Sequence, residues 1–186
     1  MSISTTCWSA SHLEQLFNDC FHDTHHTILV GGASEPLYLP PTEQKPARIF
    51  YTRDYYRSAL HEIAHWCVAG PARRQLEDYG YWYASDGRTP EQQRQFEQVE
   101  VHPQALELIF SAACGHEFRA SADNLNGQSP NLLGFQQAVY DRALELLQNG
   151  LSKRARLWTE NLASHYRGSP DFQREWIDQV YRPWLA

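Results

Sequence analysis

The chain has 186 residues, a formal net charge of −6 and a balance of 16 Lys and Arg against 22 Asp and Glu. That length suits one domain spanning residues 1–186, with a core that needs no disulfides. The acidic balance argues against nucleic-acid binding driven by bulk electrostatics, and 6 Trp, 10 Tyr and 8 Phe exclude a disordered chain.

Taken in chain order, Ser11 is placed to cap a first helix with Leu13, Leu16, Phe17, Cys20 and Phe21 on one face. Thr27–Val30 reads as a short strand ending at Gly31-Gly32. Leu37–Leu39 before Pro40-Pro41 reads as an edge strand or extended loop, and Arg48–Tyr51 as a third strand. Asp54 is the expected cap of a helix of about fifteen residues that stops at Gly70-Pro71, with Tyr56, Leu60, Ile63 and Val68 as its apolar stripe. Tyr79–Tyr83 is a dense aromatic run, suited equally to a packed strand and to a pocket wall. Thr89-Pro90-Glu91 is a helix start with a cap, a proline at the first position and an acid in the first turn. Pro103 is expected to interrupt or restart that helix, because the residue before proline avoids helical angles. The helix resumes over Gln104–Cys114. A polar loop at Ser121–Pro130 precedes three amphipathic helices at Phe135–Asn149, Ser152–Tyr166 and Asp171–Tyr181. Strands early and helices late give an α+β fold, a small central sheet surrounded by helices.

The polar segment Met1–Thr6 lacks an apolar signal core, and no apolar run reaches the length of a bilayer span. Cys7, Cys20, Cys67 and Cys114 are scattered and form no C-x-x-C, so a thiolate zinc site is not expected. Cytoplasmic residence with reduced thiols and no membrane partner follows as the default.

His61-Glu62-Ile63-Ala64-His65 is an H-E-x-x-H inside the helix that Asp54 should cap. Residues four apart share a helix face, so two imidazoles there can grip one ion with Glu62 beside it. Two histidines rarely hold a catalytic metal alone, and a carboxylate is the usual third ligand. The next helix offers Glu97, Glu100 and Glu107, with His102 nearby. Glu100 is favoured because Val99 and Val101 flank it, which suggests burial; Glu97 is the second choice. A similar pair, His22 and His26 with Asp23 between and His25 adjacent, falls where the first helix should end, so solvated histidines at a helix C-terminus are expected there. With Zn²⁺ the main set would suit hydrolysis with Glu62 as base; with Fe(II) it would be the facial triad of oxygenases. Spacing alone does not separate these, and a structural metal in a non-catalytic binding module is a further reading. Lys153, Arg154 and Arg156, and separately Arg73-Arg74, are basic segments, read first as solvated faces and second as a docking surface for an acidic partner.

The strings His61–Cys67, Tyr79–Tyr83 with Asp86-Gly87-Arg88, and Phe96–Val101 with Pro103-Gln104-Ala105-Leu106 resemble the elongation factor P hydroxylases. The match runs from about Glu35 through Asp123-Asn124-Leu125. The resemblance implies a fold similar to a metal-dependent ribonuclease of ribosome maturation. It implies a non-haem Fe(II) site using O₂, and a partner, elongation factor P, whose lysine already carries β-lysine. By motif His61, His65 and Glu100 carry over as ligands, and Glu62 as a residue supporting the ligands or a proton carrier, not a ligand. The aromatic run would then line a channel for an alkylammonium. A monomer suits an enzyme that must admit another protein.

Overall fold

The structure, a computed structural model, describes residues 8–80, 88–121 and 132–182. The expectations that rest on Tyr81–Tyr83, Asp86-Gly87, Asp123–Leu125, most of the polar loop, Met1–Thr6 and Cys7 lie outside these residues. Six helices, α1 (Ala10–His25), α2 (Tyr56–Val68), α3 (Pro90–Cys114), α4 (Leu132–Asn149), α5 (Lys153–Arg167) and α6 (Glu175–Val180), accompany strands β1 (Thr27–Ala33), β2 (Leu37–Leu39) and β3 (Ala47–Thr52). The fold is therefore mixed α+β, with a small three-stranded sheet.

The strand order is β1-β3-β2, with β1 parallel and β2 antiparallel to the central β3. Alternation decides which face is covered: Leu29, Tyr38, Ile49 and Tyr51 are buried beneath α1 and α2, while Arg48 lies over the Phe50 ring on the other face. Leu37–Leu39 is an edge strand, as its flanking prolines suggested, and β1 runs past the expected stop through an irregular register between Val30 and Ala33.

Two expected caps move. Ser9, not Ser11, caps α1 and accepts from the His12 amide, because the helix begins two residues earlier, at Ala10. Tyr55, not Asp54, occupies the cap position of α2 and makes no side-chain cap bond. The chain leaves β3 through Arg53 at φ 50, and the Tyr55 amide bonds back to the Thr52 carbonyl, so the turn consumes Asp54.

Pro103 does not interrupt α3, which is continuous for 25 residues from a Thr89–Gln92 capping box to Gly115 at φ 75. Proline removes one helical hydrogen bond and crowds the preceding turn. Here every residue from Pro103 through Cys114 is buried, and α3 packs against α2, α4, α5 and α6, so tertiary packing outweighs the local break. A helix buried all round is the spine of the core rather than a surface element. The last helix is shorter than expected, since residues 171–174 are not helical and Asp171 is drawn to the Ser169 hydroxyl. Among the described residues no helix is long and apolar enough to cross a membrane.

Candidate metal centre

Ala59, Leu60, Ile63, Ala64, Trp66 and Cys67 bury the core side of α2, which leaves His61, Glu62 and His65 half-buried on its flank. On α3, Phe96, Glu100, Pro103, Gln104 and Glu107 recur at helical spacing and are all buried. α2 packs against α3, which brings a carboxylate to the two imidazoles.

His61 Nε2 and His65 Nε2 are 3.0 Å apart, Glu100 Oε1 is 3.3 Å from His65 Nε2, and Glu100 Oε2 is 3.6 Å from His61 Nε2. Ligands about 2.1 Å from one ion and at right angles to each other stand about 3.0 Å apart, so the three donors fit a single cation on one face of its coordination sphere. Among the described residues these three form the one group of His, Cys, Asp or Glu side chains with donor atoms close enough to share an ion. Two imidazoles and one carboxylate, with the opposite side open, suit Fe(II) or Zn²⁺.

The surrounding groups orient the set. Glu107, only 4% exposed, pairs with His61 Nδ1 at 2.9 Å, which directs Nε2 toward the shared point. Gln104 donates to Glu100 Oε2 at 3.3 Å and is itself fixed by two hydrogen bonds with the Ser121 backbone. Burial opposes charge on His61, but the hydrogen bond and charge of Glu107, with Glu100 and Glu62, outweigh it and raise its pKa to about 10. Burial likewise opposes ionisation of Glu100, yet His65, His61 and Gln104 hold it down at about 2. The metal-free site thus holds a proton where a cation fits. Burial pushes the Glu62 carboxyl up against the pull of His61 and His65.

Of the sequence candidates, His61, His65 and Glu100 converge, and Glu62 lines the adjoining cleft without joining them. Glu97 is half-buried and accepts from Gln93. His102 is influenced by Arg142 and Glu145 and lies outside the donor set. The reason given for Glu100 fails even though the residue is buried: Val99 is 38% exposed, because helical neighbours point away from each other. The informative signal is the i, i+4, i+7 run Phe96, Glu100, Pro103, Gln104, Glu107, which puts Glu107, also a candidate, on the same buried face behind His61.

The basic segments are largely structural. Arg154 donates to the carbonyls of Trp66 at 3.0 Å, Cys67 at 3.2 Å and Ala69 at 2.7 Å, and its guanidinium lies 4.7 Å from the Trp66 ring centre. Arg74 adds a bond to the Ala69 carbonyl, and Arg73 bonds the Tyr79 carbonyl. Arg154 and Arg74 thus satisfy the last carbonyls of the helix that carries His61 and His65. Tyr79 is buried and stacks on Tyr38 at 4.2 Å, so this member of the aromatic run packs in the core.

Fold and site together define the class: an α+β protein with an H-E-x-x-H helix and a carboxylate from a second helix in a 2-His-1-carboxylate arrangement. Within that class the chain belongs to the elongation factor P hydroxylase family, whose model matches residues 16–176. It is 50% identical over 157 residues to the elongation factor P lysine hydroxylase of Haemophilus influenzae, covering 84% of this chain and 88% of that protein.

Proposed function

We propose that the chain hydroxylates the β-lysylated lysine of translation elongation factor P, with His61, His65 and Glu100 holding a non-haem Fe(II). The reading is supported by the meeting of those three donors on one point in a member of this family. Bound there, iron would supply the O₂-dependent oxidation of an unactivated C–H bond that redox-inert Zn²⁺ does not. Glu107 keeps the His61 ring aimed, and Gln104 keeps Glu100 aimed. Glu62 stays outside the ligand set and can take up or release a proton at the cleft floor. A monomeric, one-domain, cytoplasmic protein with a fold akin to the ribosome-maturation ribonucleases belongs to the same proposal. The zinc hydrolase alternative is not favoured by the family assignment.

Protein reconstituted with Fe(II) under anaerobic conditions should, on admission of O₂ and a reductant, add one oxygen atom to β-lysylated elongation factor P by intact mass. The Zn²⁺-loaded protein should add none. No oxygen gain from the iron form with competent substrate would contradict the reading.

A further inference from the structure

Among the described residues, two clefts flank the donor set. One of about 370 Å³ opens over His61 and includes Glu62, Glu107, Tyr55 and Arg57 in its lining. The other, about 380 Å³, opens over His65 between Val68, Pro71, Val99 and Pro103, with Arg73 at its edge. Each has an arginine in its lining, Arg57 in the first and Arg73 in the second, but of the two the first alone has described carboxylates there, Glu62 and Glu107.

Resting on the hydroxylase reading above, we propose that the His61 cleft is the entry for the cationic side chain, with Glu62 as counter-ion to a substrate ammonium and Tyr55 as the aromatic at the mouth. Glu62, Glu100 and Glu107 surround the two imidazoles, and they differ in what they touch. Glu100 faces the histidines and Gln104, and Glu107 is bonded to His61. Glu62 makes no hydrogen bond or ion pair among the described residues and faces the cleft. A cation entering the cleft would meet a carboxylate with no hydrogen bond to break.

Tyr55 is 55% exposed and already accepts the Arg53 guanidinium 5.9 Å from its ring centre. An aromatic at the lip can likewise guide an alkylammonium inward. Arg57 does not cancel this attraction, because it lies on the exposed lip and donates to the Arg119 carbonyl at 2.7 Å. The lining described for the His65 cleft offers a cation no carboxylate.

The test is binding of β-lysylated and unmodified elongation factor P to the Zn²⁺-loaded protein, which binds without turnover. Glu62→Gln should weaken the β-lysylated form about tenfold or more and the unmodified form far less, with metal content unchanged. Tyr55→Ala, at an exposed position, should weaken it about threefold. In turnover, Glu62→Gln should raise KM whatever happens to kcat. A fall in kcat at unchanged KM, equal weakening of both forms, or an unaltered Tyr55→Ala protein would overturn the proposal. Loss of oxygen addition by the wild-type iron form would instead overturn the hydroxylase reading, and the binding result would stand apart from it.

Discussion

Two pairs of histidines in this chain share the same spacing and an acid after the first member, and they have opposite fates. His22 is half exposed, its Nδ1 pairs with Asp23 at 2.8 Å, and His26 closes α1 in the left-handed region at φ 49. His61 and His65 sit within α2, against a buried carboxylate from α3 and with Glu107 behind. The pairs differ in what faces them. Spacing places two imidazoles on one turn, but a second helix packed at the right height supplies the third donor and the orienting acid.

That contrast is broken most severely by removing the third donor. Glu100→Ala, like His61→Ala or His65→Ala, should lower iron affinity at least about 100-fold and abolish oxygen addition, measured by metal analysis and intact mass. His22→Ala with His26→Ala should leave both unchanged.

pH sharpens it next. Because the neighbouring acids raise the His61 pKa to about 10 in the metal-free protein, an entering cation must displace that proton. The competing proton is lost as pH rises, so affinity should increase about tenfold per unit from pH 6 to 8, about 100-fold over that span. A pH-independent affinity in competition titrations would contradict the assigned shift.

Glu107→Gln keeps the shape but weakens the acceptor at His61 Nδ1, and should cost 10- to 100-fold in iron affinity, about the usual range for an orienting group. Arg154→Ala should unfold at a lower temperature, with a loss of about 2–3 kcal/mol, since it strips the α2 carbonyls of charged donors. Lys at 154 should recover only part, because an ammonium lacks the planar guanidinium that lies 4.7 Å from the Trp66 ring centre.

Local chemistry made much of this legible. The Thr89-Pro90 start, the strand at Thr27, the edge strand before Pro40 and the H-E-x-x-H helix all follow from short-range rules, and each is present. What was hidden depends on contacts distant in sequence. Pro103 remains helical because α3 is enclosed by its neighbours. Arg154 looks like a surface charge until α5 is laid against the end of α2, 85 residues away from its Ala69 partner. Glu107 was within reach of sequence reasoning, since it continues the stripe of Glu100, but its role appears only once α2 faces α3.

The central claim is that one ion joins α2 to α3. The most direct test is an anomalous-difference map from crystals of the Fe(II)-loaded protein. The account predicts a single strong peak about 2.0–2.2 Å from His61 Nε2, His65 Nε2 and a Glu100 oxygen, with Glu62 and Glu107 outside bonding distance. Iron at the His22–His26 end of α1, or a fully loaded protein with no peak between α2 and α3, would contradict it.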